Sequence, residues 1–275
     1  EWEGPYYPGN VRFSLGIAPS WQEKILAVIT ATEGGMYNAV NMYDSCILSA
    51  GLIQECEAVH RLTALFGSLI EGDTQSILGP VLSLASSIGY SLKKIQTSMG
   101  FQWRFIKGKQ TVEAKAEKQF LFLSCDGKRG SWGEKDSTTR LYAKCWAVAV
   151  ARTLANPVAC QIQSKRVANR ILDFFTPEAR GILIVDPGVR SNGGALAEAS
   201  IALFASFAAN LPSVASKYLR LTQDTCKAEK FSQGWLDALC ANLTLGPKIG
   251  IYPERYNKIR PKIEALYGVN LIDLA

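Results

Sequence analysis

Proline divides the second half of this chain into helical segments. Asn156-Pro157 and Leu211-Pro212 each close one apolar-periodic stretch and open the next. Proline suits the first turn of a helix but lacks the N–H needed in its middle. Helices are therefore expected over about 138–154, 157–175, 193–209, 212–221, 228–242 and 253–267, with Pro261 predicting a kink or a split in the last. So many helical segments commit the chain to a mainly helical fold.

The N-terminal part adds a different element. Ser20 followed by Glu23 forms the S-x-x-E capping pattern, and Ile25, Val28, Ile29 and Thr32 recur at helical spacing. Gly34-Gly35 stops this helix, because glycine readily takes the left-handed conformation at a C-terminus. Residues 36–53 then alternate apolar and polar positions around a turn at Asp44-Ser45, which predicts a β-hairpin or small sheet. A helix is expected from Val59 to Gly72, and 74–98 reads as mostly helical, broken at Gly79-Pro80 and Gly89. The polar stretch 126–137 is the best internal loop and is a natural divider of two lobes. The expected class is α+β, mainly helical, with a small antiparallel β-sheet near the N-terminus. Within one two-lobed domain over 1–275, residues 1–18 form an extended arm, 19–54 a helix and hairpin, and 55–275 a helical body.

Composition narrows the partners. Thirty Lys and Arg against 24 Asp and Glu give a net charge of +6, which favours an anionic partner. The cations are scattered, with small clusters such as Lys107-Gly108-Lys109, and no basic helix or aromatic-basic pattern marks a nucleic-acid module. A bacterial wall polymer is the expected partner. No apolar run reaches the length of a membrane span; Val81–Tyr90 is short and broken by serines and a glycine. Seven cysteines, an odd number without a CxxC pair, argue against a disulfide framework and for buried structural thiols. His60 is the only histidine, which counts against zinc peptidases and amidases. Cys56 and His60 stand at i, i+4, but such a pair lacks the separate orienting group a thiol nucleophile requires.

One constellation carries chemistry. Glycoside hydrolysis needs one carboxyl group to protonate the leaving oxygen and a second to stabilise the cation or activate water. Glu33 is expected on the last turn of a core-packed helix, held rigidly and far from the favourable N-terminal dipole, where apolar neighbours would raise its pKa. Asp44 follows in the hairpin, and Ser49 on the next strand is placed to hold a water or contact Asp44. Tyr37, Asn38 and Tyr43 flank this pair and are expected to line the cleft. Trp146 reads as core, whereas Trp132, between Gly130 and Gly133, is the better sugar-stacking candidate.

A helix ending in Glu, then a hairpin carrying Asp and Ser, then a glycine-containing strand and a helix resembles the lysozyme superfamily. Glu33, Asp44 and Ser49 match the order of Glu, Asp and Thr in its phage-type members, and Ala50–Gln54 (AGLIQ) is similar to the strand leading out of their hairpin. Residues 145–175 resemble the chitosanase branch through Trp146, Ala149, Pro157 and Gln163. The resemblance implies a lysozyme-like two-lobed fold and cleavage of peptidoglycan, in native or de-N-acetylated form, without metal or organic cofactor. It implies Glu33 as acid, Asp44 and Ser49 as its catalytic partners, and Gln54 beside Tyr37, Asn38 and Tyr43 in substrate binding. The site of action would be the cell wall, reached by secretion, in the periplasm or by phage delivery. Two alternatives stand beside it: a non-catalytic virion or wall-binding protein of the same fold, and a chitosanase. A polycationic substrate suits a basic protein less well.

Overall fold

The computed structural model describes residues 20–32, 35–41, 48–72, 76–114, 117–118, 121, 137–185, 193–209, 211–247 and 251–274. The expected arm over 1–18 lies outside them. Two compact units emerge, one over 36–166 together with 1–13 and one over 14–35 and 167–275. The fold is α+β and mainly helical, with ten α-helices and two three-stranded antiparallel sheets among the described residues.

The first unit holds both sheets. β1 (Val40–Asn41), β2 (Ser49–Ala50) and β3 (Glu55–Cys56) form the small sheet expected near the N-terminus, in the order β1-β2-β3. Asn41 pairs with Ser49, and Ser49 with Cys56. Helix α2 (Arg61–Glu71) follows, burying Leu62, Leu65, Phe66 and Leu69 along one face. Its first turn is held by the buried carboxylate of Glu57, which accepts from the Thr63 backbone N–H at 2.8 Å and from its hydroxyl at 2.7 Å. Helix α3 (Gly79–Ser87) carries Pro80 in its first turn.

Beyond α3 the structure corrects the sequence. The stretch 90–98, expected to be helical, is instead strand β4 (Tyr90–Thr97), paired along its whole length with β5 (Gly100–Lys107). β6 (Gln110–Thr111) completes a second sheet. Leu92 and Ile95 stand at helical spacing, yet pairing puts Tyr90 and Leu92 on one face with Phe105 and Trp103. Tertiary burial of that face outweighs local spacing. The glycines allow the ribbon to start and turn back, with φ of +81° at Gly89 and +94° at Gly100. Trp103 on β5 rests against α2: a Cβ built on Gly67 would lie 2.0 Å from the Trp103 ring, and the indole N–H donates to Glu71 at 3.0 Å. Lys94 pairs with the same carboxylate at 2.6 Å. Helix α4 (Ser137–Leu154) adds Trp146, Val150 and Leu154 to the core that Leu65, Phe66, Leu69 and Phe105 build.

Helix α5 (Pro157–Arg170) carries the chain from the first unit into the second and continues as a 3-10 turn over Ile171–Phe174. There the expected helical segments appear as α7 (Gly194–Ala208), α8 (Pro212–Thr225), α9 (Gln233–Leu245) and α10 (Ile251–Tyr267), of which α8 opens on its proline. The last runs through Pro261 without splitting. Ahead of them lies one helix the periodicity did not predict, α6 (Pro177–Leu183), whose N-capping Thr176 hydroxyl accepts from the Ala179 N–H at 3.2 Å.

Eleven residues of α7, from Ala197 and Ala199 to Ala208, are buried, so this helix is apolar around nearly its whole circumference and forms the centre of the unit. Helix α1 (Ser20–Thr32) buries Ile25, Leu26, Val28 and Ile29 and packs against α7 and α10. Phe207 meets Tyr252 edge-on, with ring centroids 4.9 Å apart.

The Gly67–Trp103 contact generates a direct test of the ribbon's seat. Gly67→Ala is expected to push the indole off α2 and cost about 1–3 kcal/mol, the scale of overpacking. Thermal unfolding followed by circular dichroism should register a melting point lower by several degrees, on the order expected for that loss.

Candidate functional site

Glu33 follows directly on α1, which ends at Thr32, and Gly35 takes φ +62°, the left-handed conformation expected of the helix stop. Glu33, Tyr43 and Asp44 lie outside the described residues, as does Trp132. The end of α1 itself is described. There Arg255 of α10, 7% exposed, donates to the Thr32 hydroxyl at 2.6 Å and to the Ser206 carbonyl at 2.8 Å. A cation at a helix C-terminus is electrostatically favourable. No sequence signal pointed to Arg255, because it acts from 223 residues away.

The small sheet places the other predicted residues, and each is built into the wall of the first unit. Ser49 is 1% exposed and donates to the Gln54 side-chain oxygen at 3.2 Å. Gln54 sits in the β2–β3 turn with φ 53° and donates its amide to the Gly51 carbonyl at 3.3 Å. Tyr37 is 1% exposed, with its hydroxyl 2.7 Å from that of Ser164, and Asn38 is fully buried. The structure thus brings Ser49 and Gln54 together, while Tyr37 reaches away from them to α5. Tyr37, Asn38 and Ser49 are buried, whereas Gln54 is partly exposed.

Helix α5 supplies the fixings. The Gln163 side-chain oxygen accepts from the Leu52 N–H at 3.0 Å, and its amide donates to the Leu154 carbonyl at 3.2 Å. Gly51 must be glycine twice over: its φ is +87°, and a Cβ there would lie 2.6 Å from that same Gln163 oxygen. One turn on, Arg166 pairs with the buried Glu55 carboxylate at 3.2 Å and donates to the Ser68 hydroxyl at 3.3 Å. Sequence reasoning noted Gln163 only through a family pattern and did not single out Glu55 or Arg166. No local pattern marked them, because each acts on a residue far away in the sequence.

The cysteines correct another expectation. Cys56, the second residue of β3, is disulfide-bonded, with its partner outside the described residues. An odd count guarantees one free thiol but says nothing against a bridge among the other six. The bridge also removes any Cys56–His60 nucleophile. His60 takes φ 58° and hydrogen-bonds through Nε2 to Glu113 at 2.9 Å. Cys145, Cys160, Cys226 and Cys240 are free. Burial pushes the Cys160 thiol up to about 11 and the Cys240 thiol up to about 12, so both are protonated and inert near neutrality. Trp146 is fully buried, in the core as its helix predicts.

Among the described residues, no group of three or more His, Cys, Asp or Glu converges as metal ligands would. No helix among them is long and apolar enough to cross a membrane. Comparison with family models, with curated proteins and with solved structures found no match.

Two tests follow from this geometry. Gln163→Leu takes the acceptor from the buried Leu52 N–H and leaves the Leu154 carbonyl only the Cys160 thiol, and is expected to cost about 1–3 kcal/mol, read as a lower urea midpoint with an unchanged slope. Peptide mapping after brief iodoacetamide treatment of the native protein should find Cys145 alkylated, Cys160 and Cys240 spared, and Cys56 protected until a reductant is added.

Proposed function

We propose that this chain is a glycoside hydrolase that cuts the glycan strand of peptidoglycan, with Glu33 as the proton donor. The observation that carries the reading is an order of elements. A core-packed helix stops immediately before Glu33, and a three-stranded antiparallel sheet follows whose β1–β2 segment contains Asp44 and whose β2 begins at Ser49. The net charge of +6 supports an anionic polymer as substrate. The Cys56 disulfide supports a working life in an oxidising compartment, at a cell wall reached by secretion, in the periplasm or by phage delivery.

In this mechanism Glu33 gives its proton to the glycosidic oxygen as the C–O bond breaks. Asp44 takes a proton from a water that attacks the opposite face of the sugar. A carboxyl separation of roughly 6.5–9.5 Å makes the reaction inverting; one near 5 Å makes Asp44 the nucleophile and the outcome retaining. The turn that Ser49 and Gln54 share sets the strand on which this chemistry leans. Tyr37 and Asn38 contribute by fixing that wall, and Tyr43 and Gln54 are the proposed sugar contacts. Neither metal nor organic cofactor enters the steps.

The test is loss of turbidity from purified peptidoglycan, native and de-N-acetylated, with wild type and Glu33→Gln side by side. Glu33→Gln is expected to lower the rate by about 10²–10⁴, the usual contribution of a general acid. Equal clearing by both proteins would remove Glu33 from the role. Absence of clearing by either, with retained binding to the wall, would favour a non-catalytic wall-binding or virion protein. Turnover of soluble chitosan alone would assign the chain to chitosanase activity instead.

A further inference from the structure

A separate pocket lies within the first unit, between α3 and α4, with a volume of about 350 Å³. That is the lower end of the range for sites that take small organic ligands. Pro80 and Leu84 of α3 form one side, and Val148 and Ala149 of α4 the other. These contacts are carbon, so the slot suits an alkyl chain.

The pocket's charge is one-sided. Lys144 and Arg152 both line it, and among the described residues no acidic side chain does. They stand eight residues apart on one face of α4, about 12 Å along the axis. Arg152 is exposed, and among the described residues it makes no hydrogen bond or ion pair, so its planar fork of N–H donors is available. Lys144 lines the same slot. Cys145, exposed and free, also lines the slot.

We propose that this pocket binds a medium-chain fatty-acid anion, its alkyl chain lying between Leu84 and Val148 and its carboxylate held by Arg152. Apolar walls with a cation at the rim match an amphipathic anion better than a neutral or cationic one. The site is independent of Glu33 and of any glycan.

Cys145 supplies the readout. Its alkylation by iodoacetamide is followed by peptide mass spectrometry with and without sodium decanoate below micelle formation, taking Cys226 as the internal control. Decanoate is expected to slow Cys145 alkylation roughly tenfold near saturation and to leave Cys226 unchanged, whereas butyrate, with the carboxylate but little chain, protects far less. Arg152→Gln, a surface substitution, is expected to weaken protection roughly 10- to 100-fold, the scale of a charge-assisted hydrogen bond. The ratio with and without ligand is taken within each variant, so a changed baseline reactivity cancels. Isothermal titration calorimetry of decanoate into wild type and Arg152→Gln gives the same ranking without the thiol. Unchanged Cys145 reactivity in decanoate would overturn the proposal. Equal protection by decyltrimethylammonium, or undiminished protection in Arg152→Gln, would overturn it as well.

Discussion

The side-chain amide of Gln163 is the interaction on which the first unit's small sheet depends. Its strands are two residues long, and so short a ladder cannot hold itself together in water. Gln163 closes the β2–β3 turn from outside by accepting from Leu52, while its other end ties back to the end of α4 through Leu154. Gly51 exists to let that amide approach. Tyr37 with Ser164, and Glu55 with Arg166, repeat the arrangement on either side. The sheet is therefore a surface pinned to a helix, with its geometry set by side chains rather than by strand pairing.

That construction suits the wall of a site of the kind proposed. Groups that act on a substrate must be held to fractions of an ångström, and buried, fully bonded supports accomplish this better than long strands with solvent on one face. The buried, paired state of Ser49, Tyr37 and Asn38 belongs to this support. The disulfide at Cys56 adds a covalent constraint at the end of the same sheet, in the strand directly paired with Ser49.

The parts that could be read from the sequence were those whose signals are local. Pro157 and Pro212 mark helix starts because a missing N–H costs nothing there, and Gly35 marks a stop because only its backbone accepts the turn cheaply. Pro177, preceded by a capping threonine, carried the same signal, yet the helix it opens is too short to show a periodic face. The ribbon over 90–107 was misread because Leu92 and Ile95 satisfy a helical spacing, and only the partner strand and α2 decide between the two structures. Gln163, Arg166 and Arg255 act across 98 to 223 residues of chain. No local pattern specifies such partners. The helix before Glu33 and its stop were legible because their signals are local, whereas the contacts at the end of that helix come from far along the chain.

That distance has a consequence for how the protein is made. The second unit is discontinuous: α1 belongs to it, but its partners α7 and α10 come after the whole of the first unit. At ordinary rates of synthesis, about 5–20 residues per second, α1 waits on the order of ten to forty-five seconds between its own emergence and that of Arg255, 223 residues behind Thr32. Its apolar face, Ile25 to Ile29, lacks both partners until α7 emerges and lacks α10 until the end. The helix that presents the proposed acid is thus completed only when the last helix docks. A ribosome-bound or prematurely ended chain would carry α1 without the helices that cover it, so the second unit is complete only in the finished molecule.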